Sequence, residues 1–157
     1  SRRAAQLQAI CDSLQNLEPT GDTGLVDALH QIAEKIQQRA LVIILSDLFA
    51  DTEALGDALQ HLRFRKHDIA VFHLLDPQEV EFHFERPHRF VDLEDSTTVV
   101  AEPNLIADEY HAALKQFLDK VEGKCHDVYA DYHLFQTSAN YEEIVSNFIT
   151  TRLHSKR

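Results

Sequence analysis

The chain has 157 residues, 44% of them hydrophobic and 26% charged, with a formal net charge of −11 at pH 7. This length suits a single domain, and we expect one unit over residues 1–157. A surplus of carboxylates argues against nucleic-acid binding, and no apolar run approaches the roughly 20 residues of a membrane helix or resembles a secretory signal.

The first half of the chain alternates helices with strands. Apolar residues recur at helical spacing over 7–17 and again over 25–36, which predicts two amphipathic helices. Cys11 lies on the apolar stripe of the first helix, so we expect its thiol to be buried. The uninterrupted apolar run at 41–45 is typical of a strand buried on both faces in a parallel sheet.

The middle of the chain continues this alternation and then departs from it. A third helix over 55–62 leads to a second apolar strand over 69–75. Residues 79–102 change to short aromatic and β-branched segments, which indicates a small β insert. Its candidate strands are 82–84, 89–93 and 97–100.

The last third returns to helix and strand. A long helix is predicted to begin at Pro103 and Asn104 and to end near Gly123. Alternating residues over 128–134 predict a less covered strand towards a sheet edge, and a final helix follows Asn140. The pattern predicts a three-layer α/β fold whose mostly parallel sheet is flanked by helices on both faces.

The loops at the carboxyl ends of the strands are where such sheets bind ligands. Asp47 directly follows the first strand, and Thr23 belongs to a polar loop that is expected to open at the same rim. Hydroxyl and carboxylate oxygens suit Mg²⁺. The alternative is that Asp47 occupies a turn or caps a helix and that Thr23 caps the second helix.

Motifs for catalysis are missing from the sequence. The ten histidines form neither a His-Glu-x-x-His site nor a zinc-finger spacing, and we expect them to be scattered and solvated. There is also no nucleophile elbow, Walker loop or dinucleotide-binding fingerprint, so the chain is predicted not to be an enzyme. Two cysteines fit a reducing cytoplasm, and the membrane attachment of the parent protein stays open.

Four segments, in order along the chain, resemble the C-terminal half of a bacterial family, the domain of unknown function family 58. Members of this family are associated with MoxR-type AAA+ ATPases and carry a von Willebrand factor A-like domain. The segments are Thr20-Gly-Asp-Thr-Gly-Leu-Val-Asp-Ala-Leu29, Leu41-Val-Ile-Ile-Leu-Ser-Asp-Leu-Phe49, His73-Leu-Leu-Asp-Pro-Gln-Glu-Val-Glu-Phe82 and Arg89-Phe-Val-Asp-Leu-Glu94.

The resemblance implies a metal-ion-dependent adhesion site for Mg²⁺, in which Thr23 matches the second ligand element and Asp47 the third. The first element, Asp-x-Ser-x-Ser, does not occur in these residues, and the family places it on a strand before Ser1. We therefore expect a fragment that lacks its N-terminal strands, contains no initiator methionine and binds Mg²⁺ poorly by itself.

The function implied by the resemblance is non-enzymatic protein binding, with a MoxR-type ATPase as partner, in the assembly or activation of other proteins. An uncovered strand edge or apolar face is also expected, and with it self-association of the fragment. The alternative function is a Mg²⁺-dependent phosphoryl-transfer or phosphoacceptor domain in which Asp47 is the nucleophile.

Overall fold

The structure, a computed structural model, describes residues 2–18, 24–84, 86–91 and 97–155. Its helices and strands alternate along most of the chain. In chain order they are α1 (Arg2–Gln15), α2 (Leu25–Lys35), β1 (Leu41–Ser46), α3 (Thr52–Phe64), β2 (Asp68–Leu75), α4 (Pro77–Glu81), β3 (His88–Val91), β4 (Thr98–Ala101), α5 (Pro103–Asp127), β5 (Asp131–Gln136) and α6 (Tyr141–Ser155).

A parallel sheet in the order β1-β2-β5 forms the centre of the described structure. Val42 is paired with Ile69, and Val71 with Tyr132, so the apolar runs of neighbouring strands lie side by side. Helices cover both faces, which confirms the predicted α/β fold class. The sheet edge predicted for the last strand is also confirmed, although β5 begins at Asp131, later than the alternating pattern indicated.

The main core lies on one face of this sheet, beneath α2, α3 and α5. Alternate strand residues point into it because successive side chains of a strand face opposite sides. The helix α3 is the most deeply buried, since its apolar residues recur at helical spacing. The buried members of this core include Leu29, Ala33, Val42, Ile44, Leu55, Leu59, Leu62, Ile69, Val71, Val121 and Cys125.

The helix α6 packs on the opposite face. The Phe148 ring lies 5.1 Å from that of Phe72, edge to face, and Arg152 forms ion pairs with Asp68 and Asp131 at the amino ends of the strands. Arg152 is largely buried there, so it fixes the far end of α6 to the sheet.

The face of the sheet on which α6 packs is uncovered at β1. Ile43 and Leu45 are 47% and 67% exposed, whereas Val42 and Ile44 on the other face are buried. Burial of β1 on both faces was therefore a wrong prediction, because α6 lies over β2 and β5. An uncovered apolar face, which the sequence also led us to expect, is present.

The helix α1 exposes its apolar stripe as well. Leu7, Ile10 and Leu14 are each more than half exposed, and Cys11 is exposed. The prediction that the Cys11 thiol is buried is therefore wrong. An amphipathic pattern shows which face of a helix can be buried, but it does not show whether another element covers that face.

Two of the three predicted strands of the β insert are present, and residues 92 and 93 of the second lie outside the described residues. The strands β3 and β4 form an antiparallel pair, but residues 82–84 are not a strand. Instead Asp76 forms a capping box with Glu79 at the start of α4, and this helix ends at Phe82, whose φ of 43° is left-handed. Phe82 stacks on Tyr110 of α5, with the ring centroids 3.9 Å apart. The Phe82 side chain is therefore covered by a helix and not by a neighbouring strand.

Candidate functional site

Asp47 lies at the carboxyl end of β1, where the sequence predicted a ligand. Its side chain is exposed, and its Oδ1 accepts hydrogen bonds from the backbone N–H of Phe49 at 3.3 Å and from the Ser46 hydroxyl at 3.4 Å. The first of these is a turn interaction of the kind considered as the alternative role for Asp47. The carboxylate is thus oriented by its own loop and still faces solvent.

Leu48 fixes the shape of this loop, which we call the rim loop and which comprises residues 46–51. Its φ of 57° is left-handed, a conformation that costs a residue with a branched side chain of the order of 1–3 kcal/mol. Its side chain is only 1% exposed, and its N–H donates to Ser46 Oγ at 3.0 Å. Burial of Leu48 therefore offsets the backbone strain and turns Asp47 and Phe49 outwards.

Asp51 ends the rim loop by capping α3. Its carboxylate accepts a hydrogen bond from the Ala54 N–H at 2.8 Å. Since this interaction stabilises the first turn of a helix, the rim loop is held by a rigid element on each side.

His73, in β2, lies fully buried close to Asp47. Its Nδ1 is 2.8 Å from the Tyr132 hydroxyl in β5, and its ring meets that of Phe117 edge to face. Burial lowers the pKa of His73, while the nearby backbone and carboxylate of Asp47 act less strongly in the opposite direction. The backbone of Asp47 is close enough to the His73 ring to favour its protonation. Among the described residues, however, no partner forms a hydrogen bond of normal geometry with His73 Nε2.

Tyr132 completes this buried polar pair. Burial, aided by Cys125 and Glu122, raises its pKa to about 12, so the hydroxyl keeps its proton. A neutral His73 with its proton on Nε2 would accept a hydrogen bond from this hydroxyl at Nδ1. The pair thus connects the rim loop with β5 across the sheet.

The buried His73 predicts a pH-dependent stability. Its folded pKa lies below the unfolded value of 6.5, so the unfolded chain binds the proton more readily. We expect the free energy of unfolding to fall as the pH is lowered through 6.5 towards the folded pKa, by at most about 1.4 kcal/mol per pH unit from this group. Urea denaturation at several pH values would show this. A His73→Asn variant should flatten the slope; equal slopes in the wild type and the variant would contradict the assignment.

Thr23, the other predicted metal ligand, lies outside the described residues, so its distance from Asp47 stays untested. Among the residues that the structure does describe, no group of three or more His, Cys, Asp or Glu side chains is arranged to hold a metal ion. Asp47 alone supplies too few oxygens for Mg²⁺, which is bound in octahedral geometry. The described part of the rim therefore does not amount to a magnesium site.

Two features near Asp47 were missed from the sequence. One is the buried His73, which we had counted among the solvated histidines. The other is Phe49, 56% exposed and stacked on Phe117 with the ring centroids 5.4 Å apart. The Ser-Asp-Leu-Phe pattern at the end of the apolar strand was the available signal, since an aromatic residue two positions after a rim carboxylate is well placed to contact a ligand.

Other histidines also depart from the predicted scatter. His67 is buried and its Nδ1 accepts a hydrogen bond from the Ala40 N–H. His30 and His61 face each other between α2 and α3, with their Nδ1 atoms 3.0 Å apart, and His61 Nε2 lies 2.9 Å from Glu34. These side chains connect different helices and strands. Such contacts between distant residues leave no metal-binding motif in the sequence.

The chain was compared with known proteins. The model of the family described as "Protein of unknown function DUF58" matches residues 2–117. No curated protein and no solved structure matches. Within the described helices, none is long and apolar enough to cross a membrane. The match spans Asp47, His73 and the segments on which the resemblance was based, and the chain belongs to the DUF58 family.

Proposed function

We propose that the chain is a non-enzymatic protein-binding module that engages its partner through the rim loop. The observation that carries this proposal is the strained Leu48, whose buried side chain holds Asp47 and Phe49 outwards on either side. Strain of this kind is found where a fold keeps a functional residue in position. An exposed carboxylate beside an exposed aromatic ring is a surface suited to protein recognition.

The finer assignment rests on the family resemblance. In this proposal the complete domain is von Willebrand factor A-like and works with a MoxR-type AAA+ ATPase in the assembly or activation of other proteins. Thr23 and Asp47 would be two of its three metal-ligand elements, with Mg²⁺ bound only when an upstream Asp-x-Ser-x-Ser loop is present. An acidic residue of the partner would then complete the metal shell.

Binding of a MoxR-type ATPase from the same genome tests the proposal. We expect the parent protein to bind the ATPase in the presence of Mg²⁺, and Asp47→Asn to weaken this binding at least about tenfold, equivalent to about 1.4 kcal/mol. Asp57→Asn removes an exposed carboxylate from the middle of α3 and is the matched control, expected to bind as the wild type does. Isothermal titration calorimetry measures both.

Equal binding by the Asp47 and Asp57 variants would contradict the proposal. Incubation with a small phosphodonor and Mg²⁺ separates it from the alternative function. A stoichiometric acyl phosphate on Asp47 would instead establish the phosphoacceptor reaction.

A further inference from the structure

An apolar groove lies beside the rim loop. Phe49 forms one wall, and the first half of α5 forms the other with Tyr110, Ala113, Leu114 and Phe117. Its volume is about 290 Å³. This is at the lower end of the range of small-molecule pockets, about 300–1,000 Å³, and it is large enough for one or two apolar side chains of a protein.

The walls of the groove are held in place without a ligand. Phe49 stacks on Phe117 with an interplanar angle of 13°, and Tyr110 is held on its other side by Phe82. The backbone of Phe49 is fixed through Leu48 and through the hydrogen bond to Asp47. A preformed groove loses less conformational entropy when a partner side chain enters.

Acidic groups surround this apolar surface. Asp47 and Asp51 flank Phe49 along the rim loop and are exposed. Burial and, less strongly, the nearby charge of Glu79 raise the pKa of the Tyr110 hydroxyl. Lys115 lies on the same stretch of α5 but lines a different groove, together with Glu122. These three carboxylates place negative charge beside the Phe49 groove, in keeping with the net charge of −11 for the chain.

We propose that the Phe49 groove receives an apolar side chain of a protein partner whose flanking residues are basic. This inference rests on the proposed function, since it names the kind of partner segment that the rim would recognise. Apolar contact supplies a central anchor, and at the metal-free rim the neighbouring carboxylates attract lysine or arginine. The acidic partner residue of the proposed function would instead bind the Mg²⁺ itself. The groove makes its contribution independently of any metal.

A peptide-binding experiment tests this inference. The probe is a fluorescein-labelled peptide of about ten residues, with a central Leu-Phe pair and two lysines on each side; a second peptide carries glutamates in place of the lysines. Fluorescence anisotropy is measured with the whole chain in EDTA. We expect the lysine peptide to bind, its affinity to fall with salt because exposed charges are screened, and the glutamate peptide not to bind.

Variants of the whole chain locate the contact. Phe49→Ala should weaken binding of the lysine peptide at least tenfold, and Phe49→Leu should retain most of it. Phe64→Ala is the matched control, because Phe64 is 83% exposed at the end of α3, and it should bind like the wild type. Circular dichroism confirms that each variant is folded.

The inference is overturned if Phe49→Ala binds as tightly as the wild type, if both peptides bind equally, or if the lysine peptide does not bind at millimolar concentration. Because EDTA removes free divalent metal, loss of the Mg²⁺-dependent role of Asp47 would leave the peptide result unchanged. Failure of this inference can therefore be distinguished from failure of the proposed function.

Discussion

Lysine substitutions at Ile43 and Leu45 are expected to turn a self-associating chain into a monomer of 18.0 kDa. Both side chains lie on the uncovered face of β1, and among the described strands β1 pairs only with β2. A free strand edge beside an apolar face favours pairing with a second copy. We predict that the wild-type chain associates at concentrations of about 10–100 μM, in the range of transient interfaces.

The helix α6, which packs on the same face of the sheet, also exposes apolar side chains. Tyr141, Val145, Ile149 and Leu153 recur at every fourth position and are all exposed. Residues at this spacing lie on one side of a helix, so they form a continuous stripe. Burial of each large apolar side chain of these surfaces against a second copy stabilises the complex by about 1.5–3 kcal/mol before the cost of association.

Sedimentation velocity over a hundredfold range of concentration measures the association. Val100→Lys, on the exposed side of the β3–β4 hairpin, is the matched control and should associate like the wild type. A wild-type chain that stays monomeric throughout, or a double lysine variant that still associates, would show that this face does not drive self-association.

Leu48→Ala is expected to lower the free energy of unfolding by about 2–5 kcal/mol, as for other large buried residues. The substitution removes the side chain whose burial offsets the left-handed backbone of the rim loop, and alanine keeps the strain. It should also displace Phe49 and so weaken binding of the lysine peptide. Urea denaturation followed by circular dichroism gives the change in stability.

Leu45→Ala provides the comparison for this prediction. Leu45 is the same residue type three positions earlier, but it is 67% exposed, so its removal should cost less than about 0.5 kcal/mol. If the two variants were equally stable, Leu48 would not fix the rim loop, and the structural basis of the proposed function would be lost.

The strands and helices of the main core could be predicted because each carries its own periodic signal. The apolar run of β1 and the helical spacing in α2 and α3 are local patterns, and the structure places these elements as predicted. Whether a face is covered depends on other elements, and so the exposure of Ile43 and Cys11 was not predicted. A sequence pattern does not show how far α6 extends over the sheet.

Only the part of the candidate site that has a local sequence signal was predicted. Asp47 follows an apolar strand, a position that topology alone assigns to the rim. The pairing of His73 with Tyr132 joins residues 59 positions apart, and the left-handed Leu48 depends on a tertiary pocket for its side chain. Neither has a local signal. The relation of Thr23 to Asp47 stays a prediction.

A magnesium titration compared between two chains tests the central claim most directly. The first is the present chain, and the second carries, ahead of Ser1, the upstream strand with an Asp-x-Ser-x-Ser loop that the proposed function requires. We predict that isothermal titration calorimetry finds one Mg²⁺ bound by the longer chain and little binding by the present one, and that Thr23→Ala or Asp47→Ala abolishes the binding while Asp57→Ala does not. Binding by the longer chain that survives both rim substitutions, or no binding at all, would contradict a metal-dependent recognition site at this rim.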